Sequence, residues 1–288
     1  MIKTLSKHSF FELTDGTQLR VKIQDNKSES WIFVLHGLGE HYERHTYISD
    51  VFKKKYNYIY FDHRGHGLSS GKKGSIERFS LFAEDFKELF DFCMNKLSIK
   101  SYALFAHSMG ALITCDFVKQ YGGDIIKPKA VFLSSAALSF PGIAQLLKYY
   151  PLKLTSMIKD IPFSFDLEDE DDYRRYSHDP KVLEFIKKDP LINHHTESKF
   201  KFKLLHKANE ITSARINFPC PVSLVIGSLD KVVNCTEVVD YFSKTEKIEK
   251  ITVVPGGFHE LFVETDEYRS VFIKALSDFM TLHLPLAK

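Results

Sequence analysis

The feature that most constrains the fold is a rhythm of short apolar runs separated by longer amphipathic stretches. The runs are Trp31–Leu35, Tyr58–Phe61, Tyr102–Phe105, Ala130–Leu133, Val222–Ile226 and Ile251–Val254. None alternates apolar with polar, as expected for parallel strands covered on both faces by helices. Between them, Phe79–Leu97, Met109–Tyr121, Thr236–Lys244 and Glu267–Leu282 carry helical spacing. This order predicts an open parallel sheet with right-handed crossovers. In such sheets the chemistry gathers at the carboxyl ends of the strands. Ahead of the rhythm, His8–Leu13 and Thr17–Ile23 flank an Asp15-Gly16 turn and read as a β-hairpin. The expected class is α/β, with a mostly parallel eight-stranded sheet flanked by helices.

The rhythm breaks between about Ala137 and Phe218, where five prolines, an acidic run Asp166–Asp172 and short apolar patches occur. That segment is too long for a plain loop in a compact domain. The expectation is an inserted helical cap, residues 137–218, within a core made of residues 1–136 and 219–288. The acidic run reads as a solvated cap loop. The apolar run Ile143–Ile158 fits packing of the cap on the core, an acyl tunnel, or transient contact with a membrane interface.

Composition serves mainly to exclude. The formal net charge of the 288 residues is +2 and the basic residues are scattered, so no nucleic-acid partner is expected. No apolar leader stands at the N-terminus, and no window approaches the run of about 18 apolar residues needed to span a membrane. Cys93, Cys115, Cys220 and Cys235 form no CxxC pair and no regular spacing, so they read as reduced structural thiols of a cytoplasmic protein rather than as metal or redox ligands. His41 and His45 stand four apart and His194-His195 are adjacent, but no HExxH accompanies them, so no metal is expected. Gly65–Lys73 resembles a phosphate loop, yet His66 stands where a glycine is required and Lys73 where Ser or Thr should be.

Two serines compete for a nucleophile elbow. The pattern G-x-S-x-G matches Gly67–Gly71, centred on Ser69, and misses Ala106-His107-Ser108-Met109-Gly110. The motif works only as a sharp turn between a buried strand and a helix, which lifts the Ser Oγ above the sheet. Ser108 has that setting, whereas Ser69 lies in a polar, glycine-rich run. Taken alone, Ser108 could equally be a helix-capping serine. Its partners decide. An activated serine needs a base, and the base needs a carboxylate to orient it. Asp230 follows the run Val222–Ile226, and His259 follows Ile251–Val254, so both fall on the same rim as Ser108. Asp62 and Glu260 are rival carboxylates; Asp62 comes too early in the chain, and Glu260 would have to fold back on its neighbour. The oxyanion donors are expected to be the N–H groups of Met109, after the nucleophile, and Leu38, in the glycine-containing loop His36–His41.

His36-Gly37-Leu38-Gly39-Glu40-His41, Asp62–Gly71, His107-Ser108-Met109-Gly110, Ser228-Leu229-Asp230 and Gly257-Phe258-His259-Glu260 occur in this order along nearly the whole chain. Together they resemble the monoacylglycerol lipase and lysophospholipase group of α/β hydrolases. The resemblance implies an α/β-hydrolase fold, hydrolysis of a single-chain lipid ester without a cofactor, and a cap over an acyl tunnel. It further implies that Glu40, Arg44 and His107 surround the polar head of the substrate. Two positions depart from the group. Ala106 replaces the usual glycine of the elbow, and Ile186 stands where monoacylglycerol lipases can place a tyrosine facing glycerol. Two alternatives stay open: hydrolysis of short acyl esters or N-terminal peptides on the same fold, and a non-catalytic ligand-binding module. The expected site of action is the cytoplasm, with peripheral membrane contact; nothing in the residues specifies the oligomeric state.

Overall fold

The computed structural model describes residues 2–5, 8–142, 144, 149 and 174–284. Its centre is a nine-stranded sheet, ordered β1-β2-β3-β5-β4-β6-β7-β8-β9. The strands are β1 (Ile2–Leu5), β2 (His8–Glu12), β3 (Gln18–Gln24), β4 (Ser30–Leu35), β5 (Asn57–Phe61), β6 (Ser101–His107), β7 (Ala130–Ser134), β8 (Val222–Gly227) and β9 (Ile248–Val254). From β5 to β9 every pairing is parallel; β1, β2 and β3 run antiparallel at one edge. The ninth strand, beyond the eight expected, is β1. Its four residues pair with the outer side of the hairpin. The hairpin turns through Gly16, whose φ of +83° suits glycine, and Asp15 Oδ1 accepts the Thr17 N–H.

The missing alternation in the central strands has a direct cause. Trp31, Phe33 and Leu35 pack into one hydrophobic cluster, while Ile32 and Val34 pack into another on the opposite face. In β6, Tyr102, Leu104 and Ala106 face the first cluster, and Ala103 and Phe105 the second. Helices α2 (Leu81–Lys96) and α3 (Met109–Tyr121) cover the first face. There Phe33 meets Phe90 at 5.3 Å between ring centres, and Phe86 meets Phe117 at 4.7 Å. Such pairs contribute about 0.5–1.5 kcal/mol beyond the area they bury. The short α1 (Tyr47–Val51) and the C-terminal helix Asp266–His283 cover the second face, through Ile48, Phe272 and Phe279.

Between β7 and β8 the alternation is replaced by α4 (Pro180–Lys188) and α5 (Ser198–Thr212); α6 (Cys235–Ser243) and α7 (Asp266–His283) follow β8 and β9. Pro180 opens α4, where its missing N–H is harmless, and Asp179 caps it by accepting the Lys181 N–H. The acidic run Asp166–Asp172, and residues 143–158 save Ala144 and Tyr149, lie outside the described residues. The stretch between α4 and α5 is tied to two core loops by three hydrogen bonds. Asp189 accepts from His41 Nε2 at 2.8 Å, the Asn193 N–H reaches Gly39 O at 2.7 Å, and the Glu197 N–H reaches Gly74 O at 2.8 Å. Both core loops follow carboxyl ends of strands, β4 and β5.

All four cysteines are free. No helix among the described residues is long and apolar enough to cross a membrane.

Candidate active site

Strand β6 ends at His107 and α3 begins at Met109, leaving Ser108 alone in the turn. Its φ of 51° and ψ of −116° lie where non-glycine residues rarely go, a strain on the order of 1–3 kcal/mol that the surroundings must hold. They do so through the Ser108 N–H, which donates to Ser134 O, and through its carbonyl, which accepts from Ala111, Leu112 and Ala137. The turn is as tight as the elbow requires. A Cβ on Gly110 would lie 2.5 Å from Leu35 O and 2.6 Å from His36 O, so glycine is needed there. Ala106, the departure from the usual glycine, is instead fully buried in the core cluster, and its methyl is accommodated.

The Ser108 Oγ lies 2.9 Å from His259 Nε2, and His259 Nδ1 lies 2.8 Å from Asp230 Oδ2. A carboxylate only accepts, so Nδ1 carries the proton and Nε2 is free to take one from Ser108. Asp230 is fixed on its other oxygen by the Val232 and Val233 N–H groups at 2.8 and 2.9 Å. Burial works against protonating His259. The Asp230 carboxylate, with Glu260 and Glu40 in support, outweighs that and raises its pKa above the ordinary histidine value. The three residues named from the sequence are therefore brought together, from turns after β6, β8 and β9.

The loop after β4 lies against this group. A Cβ on Gly37 would come within 3.1 Å of the Ser108 Cβ. Among the described residues, neither the Leu38 N–H nor the Met109 N–H has a hydrogen-bond acceptor. Both are thus free to hold a developing oxyanion.

The residues implied for the head group form a buried charge array. Arg44 donates to both oxygens of Glu260, at 2.7 and 2.6 Å, and to Glu40 Oε2 at 3.0 Å. Glu40 Oε1 accepts from the Gly37 N–H and from His45 Nε2. Burial alone would lower the Arg44 pKa, but Glu260 and Glu40 drive it up. The array keeps Glu260 away from His259 Nδ1. Arg44 also borders a cleft of about 400 Å³ lined by Lys22, His41, Tyr42, Phe185 and Asp189. His107 is buried, its Nδ1 3.2 Å from Ser134 Oγ and its ring centre 5.1 Å from that of His259. Ile186, at the position of the group's tyrosine, packs with Ile192 in a small cluster of its own.

Ser69 and Asp62 take the structural places expected of them. The Ser69 hydroxyl donates to Asp62 O at 2.6 Å and accepts the Arg20 N–H at 2.8 Å. Asp62 accepts the Tyr42 and Leu68 N–H groups. Sequence reasoning missed two supports. Ser135 donates to His259 O at 2.8 Å, and Glu264 accepts from the Phe258 N–H and from His178 Nδ1. Ser135 left a signal, standing just past a strand end on the catalytic rim. Glu264 left none, because its partner His178 is 86 positions away.

A parallel sheet carrying a strained serine elbow, with His and Asp on the next two strand ends, defines the α/β-hydrolase class of serine hydrolases. The chain belongs to the family described as serine aminopeptidase S33, whose model matches residues 26–266. It is similar to a monoacylglycerol lipase of Mycolicibacterium smegmatis, 25% identical over 272 residues, covering 92% of this chain and 93% of that one. Among solved structures it resembles the monoacylglycerol lipase of Paleococcus ferrophilus, with a TM-score of 0.73, 23% identity, and coverage of 92% and 99%. A thermostable carboxyl esterase from Bacillus coagulans, solved with glycerol, superposes with a TM-score of 0.78 at 19% identity, covering 97% and 99%. At these identities the two structures establish the shared fold.

Proposed function

We propose that the chain hydrolyses carboxylic esters of single-chain lipids, monoacylglycerols or lysophospholipids, through an acyl-enzyme on Ser108. The observation that carries this reading is the continuous relay from Asp230 through His259 to the Ser108 hydroxyl, with spacings of 2.8 and 2.9 Å. His259 takes the Ser108 proton as Oγ attacks the ester carbonyl. The Leu38 and Met109 N–H groups hold the oxyanion. His259 then protonates the leaving alcohol, and a water molecule, activated in the same way, releases the fatty acid. Asp230 keeps His259 in the tautomer this requires.

Residues 137–218 serve in this reading as a cap over the acyl chain. Each buried methylene contributes about 0.8 kcal/mol, so an apolar tunnel would set chain-length preference without polar recognition. Arg44 and His107 would face the head group, with Glu40 holding Arg44 in place. The cap would also provide any transient contact with a lipid surface. The lipase relative supports the lipid ester as substrate.

The test is a fluorophosphonate probe followed by a substrate screen. Wild type should label and Ser108→Ala should not; labelling of both would move the nucleophile elsewhere. Purified protein should then cleave long-chain monoacylglycerols or lysophospholipids faster than short p-nitrophenyl esters. The family description favours a second reading, hydrolysis of N-terminal peptides. A short-chain optimum, or release of N-terminal residues from peptides, would select that reading or a short-chain esterase.

A further inference from the structure

The cluster His36, His63 and His66 is buried beside the site and takes no part in the mechanism above. Its rings pack closely, with 4.3 Å between the centres of His36 and His63. The backbone N–H of His63 donates to His36 Nε2 at 3.0 Å. A backbone N–H can only donate, so His36 Nε2 carries no proton and Nδ1 must carry it. His36 Nδ1 lies 2.8 Å from Gly37 O and therefore donates to it. His63 closes the loop by donating its ring Nε2–H to His36 O at 3.1 Å. Burial, reinforced by His63 and His66, holds the His36 pKa well below the ordinary value, so the ring stays neutral.

The consequence lies in the next peptide bond. The Gly37–Leu38 unit is planar and trans, so its C=O and N–H point in opposite directions. With Gly37 O drawn toward His36 Nδ1, the Leu38 N–H is turned the other way, toward the side on which no described residue accepts it. The Gly37 N–H is pinned separately, by Glu40 Oε1. We infer that His36 is a positioning residue for the oxyanion hole: its Nδ1–H, in a tautomer chosen by the His63 backbone, aims the Leu38 N–H at the reacting carbonyl. This rests on the proposed acyl-transfer reading. It also gives the Asp62–Gly71 loop a task, since that loop supplies the His63 N–H.

Two substitutions separate the ring nitrogens. In His36→Asn the side-chain amide nitrogen can stand near the place of Nδ1 and donate to Gly37 O. In His36→Gln the amide lies near Nε2 and can accept from His63, but the donor to Gly37 is lost. With the ester turned over by wild type, His36→Gln should lower kcat by about 10²-fold, the scale of losing one oxyanion donor. It should weaken a trifluoromethyl ketone inhibitor, which mimics the tetrahedral oxyanion, by a similar factor, and leave KM within about threefold. His36→Asn should keep kcat within about tenfold of wild type. Equal kcat in His36→Gln and wild type, or equal losses in both variants, would overturn the inference. Nitrogen-15 NMR of histidine-labelled wild type gives a check independent of how the variants fold. It should show His36 as the neutral Nδ1–H tautomer, coupled through its hydrogen bond to the His63 amide; an Nε2–H tautomer would sink the idea. Failure of wild type to label with fluorophosphonate would instead overturn the acyl-transfer reading itself.

Discussion

Ser69 and Ser108 are two buried serines, each with a small residue two positions away on either side, and they do opposite things. Ser69 sits in the sequence that matches the nucleophile pattern, yet its hydroxyl is fully used, donating to Asp62 O and accepting from Arg20 N–H. Ser108 fails the pattern at Ala106, but it occupies a positive-φ turn and its hydroxyl faces His259 Nε2. Side-chain identity is the same in both. What differs is backbone geometry and what remains for the hydroxyl to do. A serine becomes nucleophilic when the fold withholds every partner but a base.

This contrast can be broken most sharply by removing each hydroxyl. Ser108→Ala should lower kcat by about 10⁶-fold in a steady-state ester assay, with little change in Tm. Activity remaining near wild type would erase the difference between the two serines. Asp230→Asn should follow at about 10⁴-fold, because the amide favours the wrong tautomer of His259. The base gives a third test. Its pKa is raised, and catalysis needs the neutral ring. kcat/KM should therefore fall about tenfold per unit as pH drops through an apparent pKa above the ordinary 6.5. A pH profile with its acid limb near 4 would point to a different base.

The smaller effects sharpen the comparison from the other side. Ser69→Ala should leave fluorophosphonate labelling intact, yet destabilise the fold by about 1–3 kcal/mol, since the buried Arg20 N–H loses its acceptor. Thermal unfolding would read this as a lower Tm. Ala106→Gly restores the usual elbow pattern. It should leave kcat unchanged and cost about 1 kcal/mol, by loosening a strand and removing a buried methyl. A gain of tenfold or more in kcat would show that the alanine strains the elbow after all.

The central strands were legible because they are buried on both faces and so read as unbroken apolar runs. Helix α3 matches its expected span, Met109–Tyr121, at both ends. Strand β9 starts at Ile248 rather than Ile251 because it lies at the edge of the sheet, where Glu249 and Lys250 stay exposed and interrupt the run. Strand β1 was missed for a related reason: it pairs on one side only and mixes polar with apolar residues. Within the site, Ser108, Asp230 and His259 could be found because each falls at a strand end that the rhythm locates. The ion pair between Arg44 and Glu260 could not, since 216 positions separate the partners and neither stands in a periodic pattern. Local order leaves a trace in sequence; contacts closed by the whole fold do not.

The placement of His259 has a consequence for the life of the chain. It lies 151 residues after Ser108 and follows β9, which pairs only with β8 at the far edge of the sheet. Domains are built N-terminal first during synthesis. A growing chain therefore carries Ser108 well before the residue that stands beside it in the folded protein has been added. On the proposed mechanism, hydrolytic power would arrive only with the last strand, and the appearance of turnover would itself report that the sheet has closed its order.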